Sequence, residues 1–139
     1  KLYFTDTGLA AFLCGHASPE AMWGSPQAGA MFENHVVSQW LRWRDWREPS
    51  ANLWYWRDQG GNEVDLLVER SGRLWGIECK LSERPSARDA RGLKRMTAFY
   101  GEGEVAGRFV ACGAKAPHDI EEGVTAVPGW DVFDLEMLN

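Results

Sequence analysis

Cysteine is scarce in this chain: Cys14, Cys79 and Cys112 are the three among 139 residues. They are odd in number, widely spaced and without a C-x-x-C pair, which excludes a disulfide framework and a cysteine-based zinc site and fits reduced, cytoplasmic thiols. No apolar run approaches the roughly 18 residues that a membrane-spanning helix needs. No basic-then-apolar leader opens the chain, so no membrane partner is expected. The dipeptide Gly-Lys does not occur, which excludes a phosphate-binding loop of the Walker type within these residues. Basic charge is also in deficit, with 15 Lys and Arg against 20 Asp and Glu and a net charge of −5. Such a balance rules out coating nucleic acid through bulk charge and leaves only local contacts.

What is present is ample apolar material, 45% of residues with eight tryptophans, enough for one ordinary globular core. The chain opens on Lys1 rather than Met and reads as a segment of a longer polypeptide. Residues 1–28 read as a lead-in, with a short helix capped by Thr5 or Asp6 that gathers Leu9, Phe12 and Leu13, followed by a loop from Gly15 to Gly29. Residues 29–139 form the main domain. A helix is predicted from Ala30 to about Arg44, where Phe32, Val36, Val37, Trp40, Leu41 and Trp43 share one apolar arc. Asn34, Ser38, Arg42 and Asp45 fall on the solvated side. Glu33 sits in the middle of the apolar arc, where a carboxylate is costly unless paired.

Three strand-like runs follow, Leu53 to Trp56, Glu63 to Glu69 and Leu74 to Lys80, with short turns that imply antiparallel neighbours. A second helix is expected from Ser86, with Asp89 completing a capping box, to about Tyr100. A buried strand at Arg108 to Cys112 and weaker strands at Val124 to Val127 and Val132 to Asp134 complete an α/β order with a mixed sheet.

If Ser71-Gly72 is a two-residue hairpin turn, Arg70 faces Arg73, Asp65 faces Glu78 and Glu63 faces Lys80. Those four residues then share one side of the pleat, while Val64, Leu66, Val68, Trp75, Ile77 and Cys79 share the apolar other side. Opposed carboxylates repel unless one is protonated or a cation lies between them. Lys80 alone does not balance Asp65, Glu78 and Glu63, whereas a divalent magnesium or manganese ion would. Glu33 reaches the same point if its helix packs on this face.

Glu33 on a helix, then Asp65, then Glu78-Cys79-Lys80 resembles the PD-(D/E)XK, restriction-endonuclease-like nuclease superfamily. Lys1-Leu2-Tyr3-Phe4-Thr5-Asp6-Thr7-Gly8-Leu9, Phe32-Glu33-Asn34, Tyr55-Trp56-Arg57-Asp58, Gly61-Asn62-Glu63-Val64-Asp65 and Ile77-Glu78-Cys79-Lys80 are, more closely, similar to the C-terminal domain of a group of bacterial and archaeal AAA-type ATPases. That domain carries only the description of a domain of unknown function. The resemblance implies an α-β-β-β-α-β core with a mixed central sheet flanked by helices, and an ATPase part outside these residues. It implies Asp65 and Glu78 as ligands of magnesium or manganese, Glu33 as supporting ligand or water positioner, and Lys80 as the group that activates water or stabilises charge. Val64 stands where the superfamily's name has proline.

Arg84, Arg88, Arg91 and Arg95 recur at helical intervals, so that residues 84–95 carry five basic and one acidic side chain while residues 102–139 carry two basic and eight acidic. This stripe, beginning four residues after Lys80, is the candidate phosphate-tracking edge for nucleic acid, DNA in first place. Trp40, Trp43 and Trp75 read as core; Trp23, Trp46, Trp54, Trp56 and Trp130 are left without a role, some of them available for a partner surface. His16, His35 and His118 share no spacing and read as bystanders. The expected function is a metal-dependent nuclease domain, with a non-catalytic DNA- or protein-docking module of the ATPase as the alternative.

Overall fold

In the computed structural model, residues 1–130 are described. Helix α1 (Thr7–Leu13) starts where the Asp6 carboxylate accepts the Leu9 amide at 2.8 Å, which satisfies one of the free donors at its first turn. The five-residue α2 (Pro19–Trp23), capped by Ser18, interrupts the stretch expected as loop; it is too short to show periodicity in sequence. Helix α3 (Ala28–Arg47) exceeds its predicted span at both ends. Ala10, Met22 and Met31 form a small core that ties α1 and α2 to α3.

Strands β1 (Asn52–Arg57), β2 (Glu63–Arg70), β3 (Arg73–Lys80), β4 (Val105–Cys112), β5 (His118–Glu121) and β6 (Val124–Pro128) form one six-stranded sheet in the order β1-β2-β3-β4-β6-β5. The β1–β2, β2–β3 and β5–β6 pairs are antiparallel. The β3–β4 and β4–β6 pairs are parallel. Helix α4 (Arg91–Tyr100) makes the crossover between β3 and β4, as a parallel connection requires. The sheet is therefore mixed, flanked by α3 on one face and α4 on the other.

Ser71 and Gly72 have φ of 49° and 74°, the two positive values that a tight hairpin turn demands. The β2–β3 ladder runs in the expected register from Arg70–Arg73 to Leu66–Ile77. On its other edge β2 pairs with β1, and there Trp54 faces Leu67 while Trp56 faces Val64. Two steps on β1 thus answer three on β2, so β2 carries an extra residue between Val64 and Leu67. Such a bulge re-aims side chains, and it corrects the expectation of one strictly alternating face. Leu66, Val68, Trp75, Ile77 and Cys79 pack with Phe32, Val36, Val37 and Trp40 of α3. Val64 instead joins Leu67, Leu93, Met96 and Val110 in the core beneath α4.

Other expectations are corrected by neighbours that a single-helix reading does not contain. Asn34 and Ser38, assigned to a solvated face, are buried at 7% and 1% exposure. The lead-in segment lies against Asn34, which accepts the Phe4 amide at 2.7 Å while donating to the Phe4 carbonyl and to Thr7 Oγ1, and Ser38 donates to the His35 carbonyl within its own helix. Ser86 and Asp89 do interact, since Asp89 Oδ2 accepts from both the Ser86 amide and its hydroxyl, but they close a turn ahead of α4 rather than starting it. The exposed edge strand β5 was not expected. The strand expected at Val132 to Asp134 lies outside the described residues.

Close approach fixes α4 on the sheet. A Cβ on Gly76 would meet Leu93 Cδ2 at 2.7 Å, and one on Gly92 would meet the Glu63 carbonyl oxygen at 2.0 Å. The Gly92 contact is with backbone that cannot yield, so glycine there allows the helix to sit this low, which brings its N-terminus against the ends of β2 and β3.

Candidate functional site

The ends of β2 and β3 remote from the hairpin turn collect acidic side chains. Asp65 and Glu78 are buried, at 6% and 7% exposure. Asp65 lies in the bulged stretch, one position past the Leu66–Ile77 pair, and its Oδ2 accepts the Cys79 amide at 2.9 Å. That bond ties the carboxylate to the neighbouring strand in place of a backbone ladder bond. Its Oδ1 receives the Lys1 ammonium at 2.7 Å. The same ammonium lies 3.0 Å from Glu33 Oε1 and 3.7 Å from Glu63 Oε1, and 4.8 Å from the centre of the Tyr55 ring. Tyr3 donates to Glu33 Oε1 at 2.7 Å, and Tyr55 donates to Glu63 Oε2.

Burial works against the Lys1 ammonium, but its hydrogen bonds to Asp65 and Glu33 and their charges outweigh that, so its pKa lies above the ordinary lysine range. The Tyr55 hydroxyl, with Lys1 adding to it, holds Glu63 below the usual carboxylate value. Glu33, the misfit on the helical wheel, is thereby explained: a carboxylate in an apolar arc is tolerated because a cation and a phenol meet it.

Glu78 behaves differently. Burial first, and the Asp65 charge second, push its carboxyl up to about 7, with Lys80 acting in the opposite direction. Lys80 Nζ stands 2.7 Å from Glu78 Oε1, whereas Glu78 Oε2 is buried with no hydrogen-bond partner. An unsatisfied buried carboxylate oxygen is costly. Glu78 and Lys80 line an open cleft of about 480 Å³, together with Glu63, Arg88, Asp89 and Arg91.

The four residues singled out in sequence therefore lie on α3, β2 and β3 as expected, but they do not share one pocket. Glu78 and Lys80 line the cleft beside α4. Glu33 lines a second cavity of about 330 Å³ with Lys1 and Tyr3. Asp65 is buried between its bonds to Cys79 and Lys1. The expected Glu63–Lys80 pair is replaced by Glu63 with Lys1 and Tyr55, and by Lys80 with Glu78. Among the described residues, no three His, Cys, Asp or Glu side chains lie close enough together to hold a metal ion. The arginine stripe is corrected as well, because Arg84 and Arg88 precede α4 and only Arg91 and Arg95 belong to it. Arg88 and Arg91 nevertheless reach the cleft.

Lys1, Tyr3 and Tyr55 complete the cluster around Glu33, Glu63 and Asp65, and sequence reasoning gave none of these three a role at the site. The available signal was the alternation of Lys1 and Tyr3 with Leu2 and Phe4, a polar edge on an extended apolar string. Among the unassigned tryptophans, Trp56 is core at 8% exposure, Trp54 and Trp46 are exposed, and Trp130 packs edge-on against Trp23 and Phe32.

Fold and site define a mixed α/β domain with an acidic and lysine-bearing centre at one end of its sheet. The family model described as a domain of unknown function, DUF4143, matches residues 28–132, and the chain belongs to that family. It is also similar to two proteins described as uncharacterized, Rv2008c of Mycobacterium tuberculosis and Mb2031c of Mycobacterium bovis, each 40% identical over 86 residues, 62% of this chain and 19% of the relative. The matched part thus spans about a fifth of each relative's length. No solved structure matches the chain. Among the described residues no helix is long and apolar enough to cross a membrane.

Proposed function

We propose that this domain is a metal-dependent nuclease of the PD-(D/E)XK type, hydrolysing phosphodiester bonds of nucleic acid, DNA in first place, as the C-terminal part of an AAA-type ATPase. The order α3-β1-β2-β3-α4-β4 supports that superfamily's core. One observation carries the reading: Asp65 and Glu78 are both buried at the ends of neighbouring strands, and Glu78 has an oxygen without a partner beside Lys80 and an open cleft. Two adjacent buried carboxylates work against stability. Chemistry accounts for them better than folding does.

The donor set suits magnesium or manganese, since it is made of hard carboxylate oxygens and one of them, Glu78 Oε2, has no partner within the protein. Asp65 and Glu78 would hold the ion, with Glu33 in support. When bound, it would lower the pKa of water and draw charge from the scissile phosphate. Lys80, anchored by Glu78, presents an ammonium at the cleft where negative charge develops on the phosphate. Arg88 and Arg91 on the same wall would meet flanking phosphates. Arg84 and Arg95, both exposed, would extend that edge.

The test is incubation of the full polypeptide with single-stranded, double-stranded and structured substrates in magnesium or manganese. Metal-dependent cleavage supports the reading. Tight substrate binding with every substrate left intact would favour a docking module of the same fold, an alternative that draws on the net charge of −5 and on the lack of a gathered metal set among the described residues.

A further inference from the structure

We infer that the Lys1 ammonium is a resident counter-ion of the carboxylate centre, and that a divalent metal binds there only by displacing it. This rests on the metal-dependent reading above and adds a control to the same site. The placement of Lys1 is specific: two carboxylates within 3.0 Å, a third at 3.7 Å, and the face of Tyr55 behind it. Three ammonium protons and a single positive charge meet the acids from α3 and β2 at one point. Asp65 Oδ1, the one oxygen of that carboxylate not committed to the Cys79 amide, is engaged by Lys1.

A separate observation shows that the compensation is incomplete. Glu78 Oε2 remains buried and unpaired although Lys80 serves its other oxygen. The lysines thus neutralise part of the centre and leave one donor for a cation of higher charge.

The position of Lys1 is also reversible in structural terms. Its side chain is 26% exposed, and the extended Lys1–Phe4 segment is held at the Phe4 end, by Asn34 at the Phe4 amide and carbonyl. Leu2 is fully exposed and its neighbours on either side make their polar contacts through side chains. Withdrawing Lys1 therefore requires rotation of one side chain, with the backbone anchor left in place.

Manganese titration followed by the electron paramagnetic resonance of the free ion tests this on the full chain. Lys1→Gln removes the competing charge and should tighten manganese binding at least about tenfold, the factor expected when a competitor holds a site nine-tenths of the time. Lys1→Arg keeps a cation and should bind no tighter than the parent. A second measurement needs no variant: manganese should accelerate acetylation of Lys1 Nζ, read by peptide mass spectrometry, because the displaced amine becomes accessible. If the parent binds manganese while Lys1→Gln binds equally or more weakly, or while Lys1 labelling is unchanged, the displacement is wrong and the metal reading stands. If neither the parent nor Lys1→Gln binds manganese, the metal reading falls and the displacement falls with it.

Discussion

The two sides of the acidic centre differ in how completely their charges are answered. Toward α3, each polar group has a partner: Lys1 joins Glu33, Glu63 and Asp65, Tyr3 meets Glu33, and Cys79 meets Asp65. Toward α4, Glu78 keeps an orphan oxygen and a raised pKa next to an open cleft. A saturated cluster resembles a structural ion-pair network, whereas an unsatisfied carboxylate in a cleft is the mark of a site that awaits something. On the proposed reading, the cleft on the α4 side is where substrate would be met, and the α3 side would hold and screen the carboxylates.

The cleft depends on how low α4 sits, and the largest structural effect should come from Gly92. Alanine is the better helix former by about 1 kcal/mol, but its Cβ would lie 2.0 Å from a backbone oxygen that does not yield. Overpacking should win, with a net loss of ~2 kcal/mol, read by denaturant unfolding. The Glu63 backbone meets that helix at Gly92, but Lys1 is held more closely by Glu33 and Asp65, at 3.0 and 2.7 Å, so labelling of Lys1 should stay near the parent rate in Gly92→Ala.

Within the cleft, Lys80→Ala should lower metal-dependent cleavage at least about a hundredfold, as loss of a charge stabiliser does, and manganese affinity measured alongside separates that role from support of the metal site. A large loss of metal affinity would move Lys80 from charge stabiliser to metal-site support. Arg88→Ala and Arg91→Ala should weaken nucleic-acid binding and flatten its salt dependence, each lowering the slope by about one, with catalysis of bound substrate retained. Binding measured across a salt series decides this.

On stability, Glu78→Gln should have the smallest effect and the most telling sign. The folded carboxyl titrates near 7, above its ordinary value of 4.5, so the folded state holds the proton more tightly than the unfolded one. Its contribution is fully present below about pH 4.5 and is lost as pH rises through 7. Glutamine carries no such loss, so Glu78→Gln should melt a few degrees higher than the parent at pH 8, with the gap closing toward pH 5. An unchanged gap across that range would mean that Glu78 is already answered in the native state and that the two sides of the centre do not differ as described.

Much of the fold was legible because its signals are local. Ser71-Gly72 prescribes a hairpin turn, and the ladder to Leu66–Ile77 follows from it. Glu33 was legible by misfit, since only a partner off its own helix explains a carboxylate in an apolar arc. The illegible parts are those set by a third element. The bulge that turns Asp65 arises on the β1 side of β2, where Trp54 and Trp56 take Leu67 and Val64. Asn34 looked solvated until Phe4 and Thr7 covered it. Lys1 could not be assigned to a centre 32 and 64 residues away without the fold that joins them.

Asp65 is the residue on which both sides meet, bonded to Lys1 on one and adjacent to Glu78 on the other. The direct measurement is the rate of magnesium-dependent phosphodiester cleavage by the full polypeptide, compared between the parent and Asp65→Ala under saturating substrate. Asp65→Ala should lose at least about a hundredfold in rate with the fold intact by circular dichroism. Equal rates in the two proteins would contradict the nuclease reading.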